Sequence, residues 1–98
     1  MNKDQILTFL LENKEHFLQR YHIDKIALFG SFARGENTSG SDVDIIYTLS
    51  DGHKISFDEF IAFENELEKA FLTKIDIVNE KKLNPIVKMK ARGDFIYV

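Results

Sequence analysis

The 98-residue chain contains no cysteine. It therefore has no disulfide framework and no thiolate metal site. No apolar run approaches the roughly 20 residues of a membrane-spanning helix. The first residues are too polar for a signal peptide. The expectation is a cytoplasmic protein with no membrane contact. Internal repeats and low-complexity segments are also missing. So is an excess of positive charge: the formal net charge is −3. That argues against a general nucleic-acid binder, and no direct nucleic-acid contact is expected.

What is present is a folded composition. Hydrophobic residues make up 44% of the chain, and nine of them are Phe, more apolar content than a disordered chain carries. The length fits one domain, residues 1–98, with a modest core. Charge is unevenly spread. Residues 1–73 carry seven Lys/Arg against thirteen Asp/Glu, while residues 74–98 carry six against three. The basic end suits phosphates or an acidic partner, and it equally suits a solvated face with helix-end charges.

Hydrophobic spacing and capping signals predict the elements. Asn2 followed by Gln5 opens a helix over about Lys3 to Arg20, loosened near Asn13-Lys14, with Ile6, Leu7, Leu10, Phe17 and Leu18 on its apolar side. Lys25 to Phe29 is a short buried strand stopped by Gly30. Residues 31–41 form a loop with at most one helical turn near Phe32-Ala33-Arg34. Val43 to Leu49 is a second strand. Ser56 and Glu59 make a capping box before an amphipathic helix from Phe57 to Phe71, with Glu64, Glu66 and Glu68 on its outer face. Thr73 to Val78 alternates as a third strand, with Asp76 pointing away from Ile75 and Ile77. Asn84 and Pro85 start a last helix that Gly93 ends, and Phe95 to Val98 is a short final strand. The order is α-β-β-α-β-α-β. The fold class is α/β (α+β), a small mixed sheet flanked by helices.

The informative stretch is residues 30–44, Gly-Ser-Phe-Ala-Arg-Gly-Glu-Asn-Thr-Ser-Gly-Ser-Asp-Val-Asp. A turn-capable, hydroxyl-bearing loop leads into two aspartates one residue apart. On a strand, Asp42 and Asp44 point to the same side. Side-by-side carboxylates repel unless a cation sits between them, and hard divalent cations such as Mg²⁺ favour such oxygen ligands. Asp76, a third acid in an apolar strand, reads alone as an exposed strand residue. Next to an Asp-x-Asp strand, it completes three carboxylates able to hold two divalent metals. One metal would hold a triphosphate. The other would lower the pKa of an attacking hydroxyl, with Asp76 as ligand or base on that side.

Gly30-Ser31, then Ala33-Arg34-Gly35, Asp42-x-Asp44 and the later strand Asp76 resemble the DNA polymerase β-type nucleotidyltransferase superfamily. In so short a chain they most resemble its minimal nucleotidyltransferases, and the resemblance implies the nucleotidyltransferase fold. It also implies that Gly30 and Ser31 hold the phosphates of an incoming nucleoside triphosphate. Asp42 and Asp44 would bind the metals, and Asp76 would complete the catalytic acids. Arg34 would either touch phosphate or pin the loop through a carboxylate such as Glu36. Ser41 would shape the loop. Minimal members resemble antitoxins whose partner is a HEPN ribonuclease toxin. Their activity is transfer of AMP from ATP to a toxin tyrosine, so ATP, two Mg²⁺ ions and a HEPN partner are implied. The alternatives are a non-catalytic nucleotide-binding or occluding antitoxin, and transfer to a small acceptor such as an aminoglycoside.

Other polar residues carry less. His16, His22 and His53 show no shared metal-ligand spacing. Tyr47 and Tyr97 read as strand packing residues, and Tyr21 closes the first helix. Lys81, Lys82, Lys88, Lys90 and Arg92 suit ATP or a partner. Lys88, Lys90 and Arg92 also fall in the last turns of a helix, where cations are favoured in any case.

Overall fold

A computed structural model describes residues 1–98, except for the side chain of Arg92. The chain runs α1 (Lys3–Glu12), α2 (Lys14–Tyr21), β1 (Ile23–Phe29), α3 (Gly30–Arg34) and β2 (Val43–Leu49). It continues through α4 (Phe57–Phe71), β3 (Ile75–Asn79), a 3-10 turn (Glu80–Lys82), α5 (Pro85–Ala91), a second 3-10 turn (Arg92–Asp94) and β4 (Ile96–Tyr97).

The predicted first helix is two helices. Asn13 leaves helical geometry, with φ −103° and ψ 7°. Its side-chain amide donates to the Phe9 carbonyl at 2.9 Å, and its backbone N–H turns to the same carbonyl. An Asn amide competing for helix carbonyls is a local reason for the break. The entry to α1 is as expected: Asn2 Oδ1 accepts from the Gln5 N–H, and Gln5 Oε1 accepts from the Asn2 N–H, both at 2.9 Å. Ser56 and Glu59 form the same reciprocal cap on α4.

The sheet has the order β3-β2-β1-β4. β1 pairs antiparallel with β2 and β4. β2 and β3 are parallel, which requires a crossover, and α4 supplies it. Strand alternation then gives the sheet two distinct faces. One carries Ile26, Leu28, Val43, Ile45, Tyr47 and Ile75, which join Ile6, Leu10, Phe17, Phe63 and Leu67 in the core. Phe63 and Phe71 of α4 are buried in this core, and Phe60 packs against it partly buried. The Tyr21 hydroxyl donates to Glu66, and His16 Nε2 lies 2.7 Å from the same carboxylate. Glu66 is therefore not a purely outward acid.

The other face carries Ala27, Ile46 and Val78 in register, with Tyr97 opposite Ala27. The connection from β3 back to β4 crosses this face, because the Tyr97 hydroxyl donates to Glu80 at its start. Ala27 and Ile46 are buried.

Other boundaries shift. β1 begins at Ile23 instead of Lys25, β3 occupies 75–79 instead of 73–78, and β4 is only Ile96–Tyr97. Asn84 Oδ1 accepts from the Ile86 N–H at 2.9 Å, as expected of an N-cap. Gly93 lies past the end of α5, as expected, inside the second 3-10 turn, and beyond it Phe95 packs against Phe29 with ring centroids 5.6 Å apart.

Candidate active site

The site lies at one end of the sheet face opposite α4, the face that the β3-to-β4 connection crosses. Register places Phe29 opposite Asp44, and Asp44 opposite Asp76, so the two carboxylates share a face across adjacent strands. Asp42 precedes β2 by one residue. The Val43 N–H donates to the Lys74 carbonyl at 3.0 Å, fixing the approach to both strands. Burial holds the Asp44 carboxyl above its ordinary range. The charges of Asp76 and then Asp42 push it the same way, while Arg34 pulls it down. Asp42 and Asp76 are thus both close enough for their charges to act on Asp44. Among the described residues, no group of three His, Asp or Glu side chains is gathered tightly enough to hold a metal ion by itself.

Gly30 follows β1 with φ +76° and leads into α3. A Cβ built there would stand 2.9 Å from Asp44 Cγ and closer still to Oδ2. The glycine is therefore needed twice, for a left-handed backbone and for the space that Asp44 occupies. The helical turn expected near Phe32-Ala33-Arg34 is present as the short helix α3, which begins at Gly30. Phe32 and Ala33 are buried and anchor it. Gly35 ends it at φ +72°, and the Glu36 N–H donates back to the Ser31 carbonyl at 2.9 Å. This is helix-end geometry closing around a left-handed glycine. Ser31 stands half-buried at its first turn.

Arg34 takes up the loop-pinning alternative and adds a partner that spacing did not reveal. Its Nε lies 3.3 Å from Glu36 Oε2, and its Nη1 lies 3.2 Å from Asp94 Oδ2. Both carboxylates hold the guanidinium more firmly protonated. Asp94 is 60 residues away, so no local pattern announces it. Ser41 shapes the loop as expected: its Oγ accepts from the Thr38 N–H at 2.9 Å.

The largest described cavity, about 640 Å³, lies elsewhere, between the 37–41 loop, Gln5, Phe71 and Thr73. None of the three aspartates lines it. The acid cluster is the stronger candidate, because the chemistry resides in its charges and no acidic, basic or histidine side chain lines the cavity.

Other predicted residues are placed as follows. Lys88 Nζ lies 3.6 Å from Glu80 Oε2, and Lys81, Lys82 and Lys90 are exposed. The Arg92 side chain lies outside the described residues. His22 and His53 stack at 3.9 Å between centroids, a long-range meeting that their sequence spacing did not signal.

The chain belongs to the nucleotidyltransferase domain family, which matches residues 8–98. It is a nucleotidyltransferase, similar over nearly its whole length to protein adenylyltransferases. A Methanocaldococcus jannaschii protein, MJ1379, provisionally named a protein adenylyltransferase, is 38% identical over 95 residues, covering 96% of this chain and 95% of that one. The protein adenylyltransferase MntA of Thermococcus cleftensis is 31% identical over 95 residues, covering 97% and 94%. In fold, the chain matches a structure provisionally named a minimal nucleotidyltransferase, with TM-score 0.79 and 22% identity over 98% of this chain and 95% of that one. It also matches a chain from the complex of a tri-AMPylated Shewanella oneidensis HEPN toxin with its MNT antitoxin. That match has TM-score 0.65 and 13% identity over 97% of this chain and 70% of that one.

Proposed function

We propose that the chain transfers AMP from ATP to a tyrosine hydroxyl of a partner HEPN toxin, and so acts as an antitoxin. The observation that carries this reading is the Asp44–Asp76 register pair beside Gly30, where the absent side chain leaves room for the Asp44 carboxylate. The names of the relatives support adenylyl transfer. The Shewanella oneidensis complex supports a HEPN acceptor.

In this reading Gly30 lets backbone amides approach the β- and γ-phosphates, and Ser31 offers its hydroxyl. Asp42, Asp44 and Asp76 would hold two Mg²⁺ ions, with water and phosphate oxygens as the further ligands. The fit rests on two features: the donors are hard oxygens, and the Asp44 carboxyl is destabilised as an anion by its two neighbours. Bound there, Mg²⁺ neutralises phosphate charge and lowers the pKa of the attacking hydroxyl. The acceptor oxygen forms its bond to the α-phosphorus as the bond to pyrophosphate breaks. Asp76, exposed on the edge strand β3, takes the hydroxyl proton. Positioning and charge neutralisation do the work, with no covalent enzyme intermediate. Arg34 holds α3 in place through Glu36 and Asp94.

Incubation with α-labelled ATP, Mg²⁺ and the product of the neighbouring gene tests this directly. Label on that protein is the expected result. Asp42→Asn should remove it with the circular dichroism spectrum unchanged, and Asp76→Asn should cripple transfer while much of the ATP binding survives. Full transfer by the Asp42 variant would sink the metal-site reading. A tight complex without label would point to occlusion instead.

A further inference from the structure

α5 is a helix with no buried residue. Ile86, Val87 and Met89 are 64%, 51% and 78% exposed, an apolar set on a helix of only seven residues. So short a helix is marginal without tertiary packing. Here it is held by the Asn84 cap at its start and by the Lys88–Glu80 pair at its middle. Single exposed apolar residues are ordinary on a surface, but three within four positions make a patch.

The patch is cationic as well. Residues 81–90 contain four lysines and no acid, while the rest of the chain has nine Lys/Arg against sixteen Asp/Glu. Lys81, Lys82 and Lys90 are exposed beside the apolar residues. The local charge is thus opposite to that of the molecule as a whole. A surface of this kind fits a partner that is both apolar and acidic.

Its position matters equally. α5 lies in the β3-to-β4 connection, which crosses the sheet face that carries Asp44 and Asp76. It leads directly into the second 3-10 turn, which packs against α3 and carries Asp94, the ion-pair partner of Arg34. A body resting on α5 would be on the same side of the sheet as the acids and would touch the segment that braces the Gly30–Arg34 helix.

We propose that the exposed Ile86-Val87-Met89 face of α5, with Lys82 and Lys90, is the docking surface for the acceptor protein, and that it binds an apolar, acidic patch on that protein. The proposal rests on the adenylyl-transfer reading above and adds where the acceptor sits. A nucleic acid would use the lysines but not the apolar residues, and a second copy of this chain would bury the patch without an acceptor.

The experiment uses the product of the neighbouring gene as probe. It compares the parent chain with Met89→Asp, Lys90→Glu and, as an exposed apolar control on α1, Leu11→Asp. Affinity is read by surface plasmon resonance at two salt concentrations, label transfer with α-labelled ATP, and ATP binding separately. Met89→Asp should weaken partner binding by about tenfold or more. Lys90→Glu should weaken it less and flatten the salt dependence. ATP binding should stay within twofold of the parent, and Leu11→Asp should behave as the parent throughout. Parent-like partner affinity in both α5 variants overturns the docking surface while leaving adenylyl transfer standing. A parent chain that neither binds nor labels the probe overturns the functional reading, and this proposal with it. α5-dependent binding of a single-stranded RNA, or α5-dependent self-association with acceptor affinity unchanged, also overturns it.

Discussion

On the helix-covered face of the sheet, Leu28, Val43 and Ile45 are sealed against Phe63 and Leu67, all of them essentially inaccessible. One residue along the same strands, the side chains turn to the other face, where Asp44 stands beside Asp76. The two faces share a backbone and obey different physics. The first gains stability from removing apolar area from water, about 25 cal/mol per Å². The second gathers like charges, which cost stability. Neighbouring residues therefore differ in what they are for: Val43 and Ile45 hold the fold, and Asp44 between them burdens it in a way that chemistry requires.

This contrast can be broken most sharply at Asp44. Asp44→Asn should lower adenylyl transfer by about 10²- to 10³-fold, measured as label incorporated per minute. The same variant should melt at a higher temperature than the parent in metal-free buffer, because the repulsion from Asp76 and Asp42 is gone. A variant that loses activity and stability together would show that Asp44 supports the fold after all. On the opposite face, Phe63→Ala should cost about 3–5 kcal/mol in urea unfolding, with specific transfer activity retained in the fraction that stays folded. Gly30→Ala tests the boundary between the faces. Its left-handed backbone and the close approach of Asp44 should cost roughly 1–3 kcal/mol and displace the carboxylate, so both readouts should fall. Farther from the site, Ser56→Ala should cost about 1 kcal/mol through the lost cap of α4, and transfer by the folded protein should not change.

The smallest expected effect is a pH dependence. The Asp44 carboxyl is held above its ordinary range, so the folded chain binds that proton more tightly than the unfolded chain does. Its contribution to stability is present at low pH and is lost as pH rises through the folded value. The carboxyl is partly hydrated, which keeps the effect modest. Between about pH 4 and pH 7, melting temperatures of the parent in metal-free buffer should gain less, or fall more, than those of Asp44→Asn. Parallel curves would show that the neighbouring acids leave Asp44 unperturbed.

Much of this arrangement was legible in residue order. α4 was recognised end to end, because Ser56 and Glu59 cap it and its Phe spacing matches a helix. The strand carrying Asp44 was equally plain, since Val43 to Leu49 is bounded by turn residues and buried on alternate sides. That Asp44 and Asp76 point away from the core was anticipated because strand alternation is local, whereas register brings them together across adjacent strands and Asp42 lies one residue before β2. The break at Asn13 was foreseen only as a loosening, since a single Asn amide competes with a helix by an amount that propensity barely registers. Gly93 was placed past the end of α5, where it stands, but the 3-10 turn that holds it went unseen because the contact of Phe95 with Phe29 is long-range.

The sequence by itself determined the elements, the two-faced sheet and the three acids, because capping and side-chain alternation act within a few residues. Only the tertiary structure decided that Gly30 must yield its side-chain space to Asp44, that Arg34 is held by Asp94, and that α5 leaves its apolar side uncovered. Each of these depends on which distant segments end up side by side, and strand register and crossover path, not residue spacing, set that.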